Sequence, residues 1–227
     1  MDNTETTGPS PRVQYEHRLE ELQQDVLRMG SLVEQMLHKS MEAYVRRSAE
    51  LVPEVNDLED RVDQYNLDIE TECLHLLALQ NPMARDLRII ASALKIITDI
   101  ERVGDYCIDI AKMANRMADK APVHPPVDLT NMADMVSVML RETLQAFVSR
   151  DIALVQQMIE HDDEVDHYNK RIINEMVEHI KIDSSGAEQA IAHIMVARYL
   201  ERIADHVTNV GERVYYVETG QHKELHI

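Results

Sequence analysis

The feature that most constrains this chain is that its second half repeats its first. Val62-Asp-Gln-Tyr-Asn66 recurs as Val165-Asp-His-Tyr-Asn169, and the same offset of 103 pairs Met29 with Met132, Met36-Leu37 with Met139-Leu140, and Tyr44-Val45 with Phe147-Val148. Further on, Glu101-Arg-Val-Gly-Asp105 recurs as Glu201-Arg-Ile-Ala-Asp205 at an offset of 100, so three residues are missing from one turn of the second copy. Loops absorb such deletions and helices do not. Whatever one copy folds into, the other must fold into as well.

What each copy can become is limited by its punctuation. Six Gly, seven Pro, no Trp and one Phe in 227 residues leave little material for turns and aromatic strands. Long helices remain. From Tyr15 to about Ser48 the apolar positions Leu19, Leu22, Val26, Met29, Val33, Met36, Leu37, Met41 and Tyr44 step by three and four, one stripe of a first helix. Pro53 suits the first turn of a second helix that runs to the Asn81-Pro82 break, and a third runs from about Met83 to Asp119. Three more are expected from about Asp128 to Ser149, from Asp151 to Ile182, and after Asp183-Ser-Ser-Gly186. The fold class is therefore all-α, two tandem three-helix bundles related by internal duplication. Its parts are a flexible tail over 1–14, a first unit over 15–120, a Pro-rich linker over 121–127, a second unit over 128–220 and a C-terminal tail over 221–227.

Charge and apolar patterning narrow the function. With 23 Lys and Arg against 41 Asp and Glu, the formal net charge is −18, which argues against nucleic acid and favours cations or basic protein surfaces. No apolar run spans a bilayer and the start lacks the basic and apolar regions of a signal peptide, so a cytoplasmic chain without direct membrane insertion is expected. Cys73 and Cys107 lack the spacing of a disulfide framework or a thiolate metal site and read as buried packing residues. Most of the 13 Met lie among Leu, Val and Ile on the apolar stripes, as core and not as a soft-metal box. No Gly-rich phosphate loop, Gly-x-Ser-x-Gly elbow or His-Glu-x-x-His motif is present, and an enzyme is not indicated.

The sharpest chemical signal is carboxylate spacing. Glu59 and Asp63, Glu101 and Asp105, Asp162 and Asp166, and Glu201 and Asp205 each stand four apart, hence on one helix face. Asp109 continues the face of the third helix, and Asn209 takes the equivalent place in the last. Like charges so spaced repel by a few tenths of a kcal/mol per pair, a cost that a cation held between the helices would reverse. All-oxygen donors suit hard ions such as Mg²⁺, Mn²⁺, Ca²⁺ or ferric iron, with zinc less specified. The competing reading is a solvated acidic face, weakened by recurrence in both copies. A ferritin-like di-iron enzyme would need inward Glu-x-x-His motifs. Glu72-Cys-Leu-His75 and Glu164-Val-Asp-His167 exist, but their glutamates lie about 180° and about 200° around the helix from the acidic pairs. His206, next to Asp205, is a candidate for orienting a ligand. Arg85, Arg88, Arg102 and Arg202 are candidate anion contacts, or else salt-bridge partners of nearby acids.

The duplicated three-helix units, the Ala84-Arg-Asp-Leu-Arg88 stretch opening the third helix, and the echoed Glu101–Asp105 and Glu201–Asp205 motifs closely resemble the PhoU family of phosphate-signalling regulators over residues 15 to 220. That resemblance implies multinuclear metal clusters, of iron first and of zinc, Mn or Mg otherwise. Carried over residue by residue, the ligands are Glu59, Asp63, Glu101, Asp105 and Asp109 in the first unit and Asp162, Asp166, Glu201, Asp205 and Asn209 in the second. It also implies a negative regulator of phosphate-starvation genes. Such a protein is a non-catalytic adaptor, often a homodimer, coupling the ATPase subunit of the phosphate ABC transporter to a membrane sensor histidine kinase. Membrane association would then be peripheral, through protein partners. Ala204 in place of the Gly seen at 104, and Ser184-Ser185-Gly186 in place of a Pro-containing turn, depart from the usual pattern without touching a ligand.

Overall fold

The computed structural model describes residues 10–79, 82–118 and 128–225. Six helices are found among them: α1 (Pro11–Arg46), α2 (Val52–Leu79), α3 (Ala84–Met117), α4 (Leu129–Ser149), α5 (Ile152–Ile182) and α6 (Ala187–Thr219). Their ends follow local chemistry. Ser10 caps α1 by accepting from the Val13 amide, with Pro11 in the first turn, so Pro11–Gln14 belong to the helix and not to a tail. Asp128 and Asp151 cap α4 and α5 in the same way. Arg47 and Arg150, repeat mates at the ends of α1 and α4, both turn into the left-handed region. The linker expected over 121–127 and the Gln80-Asn81 part of the α2–α3 turn lie outside the described residues. Of the expected C-terminal tail, residues 221–225 are described: Leu225 is buried, and its amide donates to Glu212 at 2.9 Å.

The two bundles do not stand side by side as separate bodies. One continuous core runs from Tyr15 to Leu225. Helices α3 and α6 pair antiparallel along their whole length, from Arg85–Glu218 at one end through His206–Asp99 to Arg116–Glu188 at the other. Helices α1 and α4 pair likewise, Gln23 donating to the Phe147 carbonyl and Ser137 to Glu34. Glu34 and Ser137 are themselves repeat mates. A residue that touches its own mate lies beside a twofold axis, so the duplication is expressed as an internal pseudo-dimer. Close approach of α1 and α4 needs Gly30, where an added Cβ would stand 2.0 Å from the Leu144 side chain. Helices α2 and α5 pack on the outside, α2 on α1 and α3, α5 on α4 and α6.

Candidate functional site

The predicted carboxylates fall on two repeat-related faces, one between α2 and α3 and one between α5 and α6. Residues 101–110 and 201–210 carry the same burial, position for position, so the motif is presented identically in both copies. In the first bundle, burial and then Asp63 beside it and Asp105 across the helix pair push the Glu59 carboxyl above its usual range, against a weaker pull from Lys112. Glu101 Oε2 accepts from Asn66 Nδ2 at 3.1 Å. Asp105 is held by Arg102 at 2.8 Å, and Asp109 by Lys112 at 2.8 Å.

In the second bundle Glu201 takes the central place. Burial, then Asp205 and Asp166, raise its carboxyl, and Arg198 and Arg202 only partly offset them. Arg202 also reaches Asp205 at 3.3 Å, and Lys170 binds Asp166 at 2.9 Å. Asp162 is half-buried on the same helix. The counterpart of Asn66 is Asn169, and here the bond to the glutamate is not made: Asn169 Oδ1 and Glu201 Oε2 are both buried without a hydrogen-bond partner. The two asparagines close the repeated Val-Asp-x-Tyr-Asn motif. Their place in the motif was visible in the sequence, and their role beside the glutamates was not.

The polar groups beside the two faces find partners within the chain. Asn209 donates from Nδ2 to Asp99 across the α3–α6 seam at 3.3 Å. His206 Nδ1 lies 2.9 Å from the same Asp99 oxygen, with its ring against Tyr106. The four arginines considered as anion contacts are engaged within the protein: Arg85 with Glu218, Arg88 with the Val217 carbonyl, Arg102 with Asp105, and Arg202 with Glu201 and Asp205. The two Glu-x-x-His pairs stay apart, Glu72 being tied to Arg18 of α1 and His167 to the Asp163 carbonyl. Cys73 is buried, its thiol pushed up to about 12.

The donor set suits a hard cation by chemistry: all oxygen, two raised glutamates, and orphaned acceptors at Asn169 and Glu201. Among the described residues no three His, Cys, Asp or Glu side chains stand gathered as an ion-holding set. Five carboxylates of the two faces are instead paired along their own helices with Arg102, Lys112, Lys170, Arg198 and Arg202.

Fold and faces together define a class: an all-α protein of two repeated three-helix units, fused as a pseudo-dimer and bearing one acidic face per unit. The PhoU domain family matches residues 26–114 and 129–214, and the chain belongs to that family. The phosphate-specific transport system accessory protein PhoU homolog of Clostridium acetobutylicum is 35% identical over 212 residues, covering 93% of this chain and 97% of that one. Its namesake from Deinococcus radiodurans is 36% identical over 194 residues, covering 86% and 91%. The crystal structure of PhoU from Pseudomonas aeruginosa superposes with a TM-score of 0.87 at 30% identity, covering 91% of this chain and 100% of that one. No helix among the described residues is long and apolar enough to cross a membrane.

Proposed function

We propose that this chain is a negative regulator of phosphate-responsive genes, an adaptor between the ATPase subunit of a phosphate ABC transporter and a sensor histidine kinase when phosphate is plentiful. The observation that carries the reading is that both repeats match the family and that relatives named as phosphate-transport accessory proteins align through nearly their whole length. The test is alkaline phosphatase activity in phosphate-replete source cells with and without this chain. High activity in the deletion alone is expected, and unchanged activity in the deletion would remove the regulatory reading.

The second part of the proposal is that each acidic face binds cations. Glu59, Asp63, Glu101, Asp105 and Asp109 would hold them on one bundle, and Asp162, Asp166, Glu201, Asp205 and Asn209 on the other, Asn209 through Oδ1 while its Nδ2 donates to Asp99. Bound metal would supply positive charge, of iron first and of zinc, Mn or Mg otherwise. The chain's own residues then do the rest. Carboxylates released from Arg102, Lys112, Lys170 and Arg202 draw two helices together, and the freed cationic side chains change the charge shown to a partner. Metal content by mass spectrometry should drop in Asp105→Asn combined with Asp205→Asn, and partner binding should weaken with it. Retention of both would defeat the idea.

A further inference from the structure

We infer that the exposed apolar stripe at the C-terminal end of α2, continued onto the start of α3, docks a basic amphipathic helix of another protein. Leu67 and Leu74 are each 56% exposed, Met83 67% and Leu87 47%, and Leu77 is also exposed, an unusual run of large apolar side chains for one end of one helix pair. Leu67, Leu74 and Leu77 share one helical face by their spacing. The α2–α3 register is fixed by Asn66 bonded to Glu101 and Cys73 against the Ile90 carbonyl, and it brings Leu77 alongside Leu87. The result is a shallow apolar track on the outside of the first bundle, away from the core and from the α3–α6 seam.

Charge selects the occupant. Helix α2 carries eight carboxylates against a single arginine, Arg61. Glu70 lies within the stripe itself, and Asp60 lies a turn or two before it; neither forms a salt bridge among the described residues. A second copy of this chain would bring the same acids face to face, and anionic lipid is repelled by a chain of net charge −18. A helix with apolar side chains at i, i+3/i+4 and i+7 and Lys or Arg on its flanks satisfies both the track and the charge. The second bundle keeps only part of the track: Val177 and Ile180 stand where α2 has Leu74 and Leu77, but Lys170 replaces Leu67, and Asp183 and Ala187 stand where the first bundle has Met83 and Leu87. The inference does not rest on the acidic faces holding metal, nor on the phosphate role.

The test uses the full chain and a fluorescent synthetic peptide of about 20 residues, long enough to cover the track as a helix, with Leu on one face and Lys and Arg on its flanks. Anisotropy should show saturable binding that weakens as salt rises from about 0.05 to about 0.5 M. A peptide with Glu flanks should not bind. Leu67→Ser with Leu74→Ser, both at exposed sites, should lower affinity about tenfold or more with unchanged circular dichroism, and Glu70→Lys should lower it less. A photoreactive group on the peptide should label α2 and α3. Failure of the Lys/Arg-flanked peptide to bind, equal binding to the double variant, labelling centred on α5, or concentration-dependent self-association lost in the double variant would each overturn the inference.

Discussion

The two bundles share a fold, a burial pattern and four acidic pairs, yet they treat the same glutamate differently. In the first, Glu101 accepts from Asn66; in the second, Glu201 and Asn169 each keep a buried oxygen without a hydrogen-bond partner, and Glu201 has only the longer ion pair to Arg202 at that oxygen. They also treat the end of the first repeat helix differently, where Tyr44 of one copy meets His193 through its hydroxyl and Phe147 of the other carries no hydroxyl. Duplication preserved the frame and let the polar details drift. What the two copies still hold in common is the packed frame and the acidic pairs it carries, and what separates them is the polar contacts around those pairs.

The largest expected effect tests the shared frame. Ile100 and Leu200 are repeat mates buried on the paired helices, and Ile100→Ala or Leu200→Ala should each cost about 2–5 kcal/mol. Because one core spans both bundles, either change should lower a single unfolding transition seen by calorimetry, and splitting into two transitions would break the pseudo-dimer description. Tyr44→Phe makes the first copy resemble the second. It leaves the half-buried His193 Nδ1 without its Tyr44 partner, costing about 1 kcal/mol by chemical denaturation. The left-handed caps come next. Arg150→Gly should stabilise by about 1 kcal/mol, while Arg47→Gly should gain less, because Arg47 also donates to Gln189 at 3.1 Å.

The smallest effect concerns pH. Glu59 and Glu201 hold their protons more tightly in the folded chain than at their ordinary value of 4.5, so folding gains stability as pH falls from neutral toward that value and loses it as pH rises. Glu201→Gln should therefore stabilise the metal-free protein at pH 7 by about 0.2–0.5 kcal/mol and flatten its pH dependence. Glu101→Gln should stabilise less, since Glu101 already has Asn66 as a hydrogen-bond donor. An equal response of the two variants would erase the proposed difference between the bundles.

Much of this was legible in the sequence because it is local. Helix ends are written in Asp128, Asp151 and Asp183, and repeat offsets tell which helices must match, whereas the cap at Ser10 lies inside the expected tail. Periodicity gives an angle around a helix but not the identity of the neighbour at that angle. Asn209 sits at the position equivalent to Asp109, yet α6 is shared between α5 and α3, and Asp99 on α3 claims its amide. The same limit hid the antiparallel seam: two consecutive bundles and one fused pseudo-dimer have identical stripes. The cations that hold the acidic faces lie three or four residues away on the same helices, where they read equally well as solvated side chains.

The α3–α6 seam has a thermodynamic consequence. With one core predicting one unfolding transition for both bundles, any ligand that prefers the folded form of one is expected to raise the free energy of unfolding of the other by the same amount. The two acidic faces and the α2 track are in this sense entries in one equilibrium. An occupant at any of them is felt at the rest as resistance to opening, without a hinge turning or a helix changing register, and reciprocity requires that the influence run equally in both directions.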